Sequence, residues 1–244
     1  MAGPVTAGYF SIEGTKGTKL SAAQVAIFDE PWAMTFLPDG ALLVTEKKGR
    51  LWHVAGNGLK TEVLGMWKVA YGGQGGLGDV VLHPDYKRTS WIYLSYAEHA
   101  KDKAKIGAVV VRAKLDLISS PLRLRSVEKL WVQEPNVDGK GHYSHRIAFG
   151  PDGKMFITSG DRQKRTPAQN FDGNLGKVLR LNDDGTLPAD NPWQNYGEIA
   201  KQFWTMGHRN MLGIDFDADG RLWVHEMGPR HGDELNRIIP GKNY

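Results

Sequence analysis

The sequence predicts an all-β fold, a β-propeller of four-stranded antiparallel blades, and three observations carry that prediction. A strand–turn–strand plan recurs four times: "WAMTFLPDGALLVTE" (Trp32 to Glu46), "GDVVLHPDYKRTSWIYLSY" (Gly78 to Tyr96), "HRIAFGPDGKMFITSGD" (His145 to Asp161) and "LGIDFDADGRLWVHE" (Leu212 to Glu226). Thirty glycines and eight tryptophans favour many turns and half-buried strands over long helices. No helical period persists along the chain, so a helical solenoid fits poorly and a β-sandwich is the competing all-β fold.

Within each unit, apolar and small or polar residues alternate, which is the period of a strand with one buried face. Pro-Asp-Gly between the strands is turn chemistry: proline presets φ, aspartate bonds its own backbone and glycine accepts positive φ. A third strand is expected after three of the units, at "GRLWHVA", "AVVVRAKLDL" and "GKVLRLN". The turns are spaced 46 residues apart (Pro38 to Pro84), then 67 (to Pro151), then 67 (to Ala218). A blade needs roughly 40–50 residues, so the longer intervals imply insertions at Ile118–Gly141, Asp161–Asn174 and Pro188–Gln202. These are expected to be loops on one face, where function concentrates. Residues 1–30 read as a segment leading into the first blade, and 31–244 as a partial propeller.

Composition excludes several classes. Net charge is +4 with basic residues scattered, which argues against nucleic-acid or membrane-surface binding. There is no cysteine, so disulfides and thiolate metal sites are out. No apolar run is long enough for a membrane span, and "MAGPVTAGYFSIEG" lacks the basic-then-apolar pattern of a signal peptide.

Four stretches could carry chemistry. "GQGGLG" (Gly73 to Gly78) matches the dinucleotide fingerprint, but a β-branched strand follows it where a helix is required, so the nicotinamide reading fails. What remains is a glycine loop presenting Gln74, or a plain connection between blades. His142 ends an insertion just before a blade's first strand; it is a structural histidine or a general base, since imidazole titrates near neutrality. Arg209 and Asn210 of "GHRN" precede the next blade in the same way, as an anion-binding pair or as part of an inter-blade contact. In "HEMGPRHGDELNRI", Gly228-Pro229 followed by Asp233-Glu234 makes a hard-oxygen environment suited to calcium, without EF-hand spacing. Histidine pairs in loops are too sparse for a zinc site.

Five stretches in the same order resemble the soluble pyrroloquinoline-quinone-dependent glucose/sorbosone dehydrogenases, including the aldose sugar dehydrogenases. They are "PWAMTFLPDGALLVTEKKGRLWHV", "GGQGGLGDVVLHPDY", "HYSHRIAFGPDGKMFITSGDR", "TPAQNFDGNLGKVLRLNDDGTLPADNPW" and "GHRNMLGIDFDADGRLWVHEMGPRHGDELNRIIPGKNY". The resemblance implies a six-bladed propeller that oxidises an aldose at its anomeric carbon to the lactone, passing hydride to the quinone and then electrons to an external acceptor. It makes His142 the general base, with Gln74, Arg209 and Asn210 on the cofactor and Arg209 also stabilising charge on it. It places calcium on the backbone carbonyls of Gly228 and Pro229, with Asp233 and Glu234 supporting it or holding a further calcium. It also implies a periplasmic or secreted protein. A catalytically inert propeller that binds a partner, or a lactonase-like calcium enzyme, are the alternatives.

Two departures stand out. Gly141 occupies the position before the base that is often acidic in the glucose dehydrogenases, which leaves the base without a carboxylate from that neighbour. Four blade units are present against six in the family fold, so the expectation is a C-terminally truncated chain with weak or absent activity on its own.

Overall fold

The computed structural model describes residues 8–101 and 103–244. An N-terminal hairpin, β1 (Tyr9–Glu13) and β2 (Lys19–Ala23), forms its own two-stranded sheet. The remaining strands make four antiparallel sheets, each a meander in chain order. Blade 1 is β3 (Pro31–Phe36), β4 (Leu42–Glu46), β5 (Arg50–Val54) and β6 (Lys60–Glu62); blade 2 is β7 (Leu77–Leu82), β8 (Trp91–His99), β9 (Ile106–Asp116) and β10 (Arg123–Val132). Blade 3 is β11 (Ser144–Phe149), β12 (Met155–Ser159), β13 (Lys177–Leu181) and β14 (Phe203–Met206). Blade 4 comprises β15 (Met211–Phe216), β16 (Leu222–Glu226) and β17 (Glu234–Arg237), three strands rather than the four expected.

The sequence repeat is a structural repeat. In blades 1, 3 and 4 the same two backbone bonds close the first hairpin: Leu37 N–H to Ala41 O, Gly150 N–H to Lys154 O and Asp217 N–H to Arg221 O, each with a glycine bond inside it. Blade 2 departs, because a one-turn helix, α1 (Tyr86–Thr89), replaces the glycine turn. Part of the Ile118–Gly141 insertion is the outer strand β10 rather than loop. Apolar residues fill the interfaces between successive blades. Side chains such as Tyr93, Leu94 and Ile157 are fully buried there, each worth about 1.5–3 kcal/mol.

A second repeat places the site. The first strand of every blade bulges near its start, at Pro31/Met34, Leu77/Val80, Ser144/Ile147 and Met211/Gly213. A hydroxyl from the second strand fills the gap in three of them: Thr45, Ser95 and Thr158 accept from Ala33, Asp79 and Arg146 N–H. Bulges interrupt pairing and re-aim side chains. Gln74, His142 and Arg209–Asn210 all lie just ahead of these bulged strands, so the repeat gathers them on one face around the axis.

Candidate active site

A cavity of about 240 Å³ opens on that face, lined by Trp32, Lys47, Gln74, Tyr143, Ser144, His145 and Leu212 among others. All four blades or their leading loops contribute to it. His142 precedes β11 and is buried, with only 4% of its surface exposed. Its Nδ1 lies 2.7 Å from Asp161 Oδ1. The carboxylate accepts, which assigns the proton to Nδ1 and leaves the Nε2 lone pair free to take another. Asp161 is fixed in turn: its Oδ1 also accepts from Gln163 N–H at 2.8 Å and its Oδ2 from Arg165 N–H at 3.2 Å. His142 therefore does have a carboxylate, supplied 19 residues downstream just after β12. The position vacated at Gly141 is not where it comes from.

Gln74 reaches the same loop, its Oε1 accepting from His142 N–H at 2.6 Å. Its own N–H donates to Lys140 O at 2.8 Å. Gly160 allows the approach, because a β-carbon there would sit 2.0 Å from His142 O. The backbone around His142 is unusual: His142, Ser144, His145, Arg162, Gln163 and Arg165 all have φ between 49° and 64°. Non-glycine residues held there cost free energy and cluster where geometry is over-determined.

Asn210 is fully buried. Its Oδ1 accepts from Ser144 Oγ at 3.2 Å, while Nδ2 is a buried donor without an acceptor. Arg209 is held through its backbone, which donates to Glu226 Oε2 at 2.9 Å. Its Nη1 donates to Met227 O at 2.6 Å and Gly228 O at 3.1 Å. A guanidinium thus already faces two consecutive carbonyls of the Gly-Pro loop. Pro229 O accepts from His231 N–H at 2.9 Å and retains a second lone pair. Asp233 Oδ1 accepts from Gly228 N–H at 3.0 Å, so it shapes this loop, whereas Glu234 turns away to accept from Asn236 Nδ2 at 2.9 Å. Among the described residues no three His, Asp or Glu side chains form a metal-binding group. Any hard cation here would rest mainly on carbonyls.

His145 forms part of the cavity wall. It is buried, stacked on Trp32 with ring centroids 5.1 Å apart, and bonded through Nδ1 to Ser95 Oγ at 2.7 Å. Burial pushes its pKa down to about 3, so the ring is neutral. Burial likewise raises the pKa of Asp79, against the opposing pull of Arg146, whose Nε lies 3.3 Å from Oδ2. Asp79 Oδ2 accepts from Ile147 N–H at 2.9 Å and ties blade 2 to blade 3 beneath the cavity.

The structure brings His142, Gln74 and Asn210 together through shared contacts, and links Arg209 to the Gly228 loop. Sequence reasoning missed Asp161, Arg162 and Glu226. The signal for the first two was "GDR" immediately after a strand, on the face already singled out.

The sequence model of the Glucose / Sorbosone dehydrogenase family matches residues 28–244. Aldose sugar dehydrogenase YliI of Escherichia coli is 39% identical over 220 residues, 88% of this chain and 58% of the relative. Quinoprotein glucose dehydrogenase B of Acinetobacter calcoaceticus is 31% identical, covering 88% of this chain and 50% of the relative. The chain thus spans little more than half the length of these curated relatives. Among solved structures, the PQQ-bound aldose sugar dehydrogenase of Streptomyces coelicolor superposes with a TM-score of 0.81 at 29% identity, over all of this chain and 67% of that one. The soluble aldose sugar dehydrogenase of E. coli in its apo form gives 0.82 at 37%, over 88% and 62%.

Proposed function

Because the chain belongs to the glucose/sorbosone dehydrogenase family, we propose that it carries the base and much of the cofactor site of an enzyme that oxidises an aldose at the anomeric carbon to the lactone. His142 Nε2 takes the proton of the anomeric hydroxyl. Asp161 keeps Nδ1 protonated and stabilises the imidazolium that forms, as carboxylates do for catalytic histidines. The observation that carries the reading is the buried His142–Asp161 pair at 2.7 Å beside the axial cavity.

Pyrroloquinoline quinone, when bound, would supply the two-electron acceptor for the hydride leaving the sugar. The residues fit such a group. The buried Asn210 Nδ2 lacks an acceptor that a carbonyl or carboxylate would provide. Lys47 on the cavity wall and Arg209 beside it offer positive charge to an anionic cofactor. Gln74 orients the base loop and borders the cavity. Calcium would rest on the Gly228 and Pro229 carbonyls, each of which keeps a lone pair, with Asp233 holding the turn. A periplasmic or secreted setting follows from the same reading; among the described residues no helix is long and apolar enough to cross a membrane.

The test is reconstitution of the purified chain with the quinone and calcium, followed by dye-linked oxidation of glucose and other aldoses. Oxidation that requires both additives and disappears in His142→Ala is the expected result. A His142→Ala variant as active as the wild type overturns the assignment of the base.

A further inference from the structure

We propose that Arg162 is a positioning residue that fixes the main chain of the base His142, as Asp161 fixes its imidazole; the inference rests on reading His142 as the base. Arg162 is 1% exposed. Its Nε donates to Gly141 O at 2.9 Å, Nη2 to Gly139 O at 2.7 Å, and Nη1 to Ile106 O at 2.6 Å and Gln133 Oε1 at 3.3 Å. Its backbone N–H donates to His142 O at 3.2 Å. The guanidinium face lies 3.7 Å from the centre of the Tyr143 ring.

None of these acceptors is a carboxylate. Asp138 and Asp161 act on the guanidinium only through space, and a buried cation with no carboxylate bonded to it is costly unless its donors are spent on specific partners. Here they are spent on carbonyls of the loop that delivers the base. The peptide before His142 is gripped through Gly141 O and the peptide after it through His142 O. Gly139 and Ile106 anchor that grip to the rest of the loop and to β9 of the neighbouring blade. His142 has φ 49°, a conformation that a residue with a β-carbon does not hold unaided. Adjacent residues at the end of one strand therefore set both the ring and the backbone of the base. The planar fork matters beyond the charge, because four acceptors reached through three separate nitrogens exceed the three bonds that an ammonium can donate and fall within the five of a guanidinium.

The test uses the 244-residue chain labelled with ¹⁵N-histidine. The wild type is expected to show a downfield Nδ1–H proton for His142, assigned by its loss in His142→Ala. Arg162→Lys keeps the charge without the fork and is expected to lose that resonance while remaining folded by circular dichroism. In Arg162→Ala, millimolar methylguanidinium is expected to restore it; should that variant not fold, the lysine variant carries the test. In quinone-loaded protein the same substitutions are expected to lower kcat about 10–100-fold with KM changed less than about twofold, the signature of a misplaced group rather than lost binding. A resonance unchanged in folded Arg162→Lys, or absent from the wild type, overturns the proposal. A wild type that shows the resonance but neither oxidises sugar nor melts higher with quinone and calcium counts against the dehydrogenase reading, and the positioning result is then read from the resonance alone.

Discussion

Asp161, bonded to His142, and His145, on the cavity wall, define what single substitutions should do. Replacing Asp161 by Asn exchanges an acceptor for an amide and lets His142 adopt the wrong tautomer, with little change of volume. We expect kcat to fall about 10²–10⁴-fold while sugar KM stays near its wild-type value, measured by steady-state kinetics on quinone-loaded protein; a loss smaller than tenfold would mean that Asp161 is only a loop anchor. His145 gives a different signature. Its native pKa of about 3 lies below the ordinary 6.5 because burial excludes the charged ring. The unfolded chain takes up a proton near 6.5 that the native ring refuses, so this contribution to stability is intact above that pH and is lost as pH falls toward 3. At pH 5 the loss is about 2 kcal/mol, and the difference between wild type and His145→Gln in urea titrations at pH 7 and pH 5 should show it. An equal pH dependence in both proteins would mean the ring is not held neutral. At this scale the shared placement of His142, Gln74 and Asn210 was legible because each stands before a recurring strand. Asp161 and Arg162 were not, because their partners are 19 and more residues away and the bonds of Arg162 run to carbonyls, which leave no side-chain pattern.

The blade is the unit that the sequence states most clearly. Turn chemistry and period-two alternation located the first two strands of each blade, and the bulge near the start of each first strand explains why functional residues collect there. What escaped was the outer edge: β10 was read as part of an insertion, and half of its ten residues are exposed and four are charged, which weakens the strand pattern. Lys177 is a related case. It sits among apolar neighbours in β13, yet its buried ammonium donates to Pro167, Ala168 and Leu175 carbonyls, pinning the 161–174 loop to the blade. In blade 4 the turn after β16 depends on one position. A β-carbon at Gly228 would lie 1.7 Å from the carbonyl oxygen of Gly232, so any side chain must prise the backbone apart. Gly228→Ala is expected to abolish a calcium-dependent rise in Tm while changing the metal-free Tm little, because the loop is largely exposed. Scanning calorimetry with and without calcium decides this; an undiminished rise would place the ion elsewhere.

Across the whole molecule, each blade packs on the next in chain order, but the outward flank of blade 1 is uncovered. Met34 and Phe36 of β3 are 53% and 64% exposed, whereas the corresponding strands β7 and β11 are largely buried. Leu235 on β17 is 69% exposed at the other flank. The repeat made the propeller legible, and the count of four units matches the four sheets of the described residues. Neither could indicate how much of the cavity those units enclose, which depends on packing between blades. The described blades bring Gln74, His142, Asn210 and the Gly228 loop, the residues proposed to meet the cofactor, to one face. Along an unwalled flank, water would screen the charges that hold the cofactor and stabilise the developing negative charge. Binding and turnover should therefore separate. We expect quinone and calcium together to raise the Tm of the 244-residue chain by about 2–5 °C. Glucose oxidation should nonetheless run at least about 100-fold slower than in the E. coli aldose sugar dehydrogenase assayed beside it, with His142→Ala abolishing what remains. Turnover equal to that relative's would show that the residues of four blades suffice for the chemistry and that enclosure contributes little.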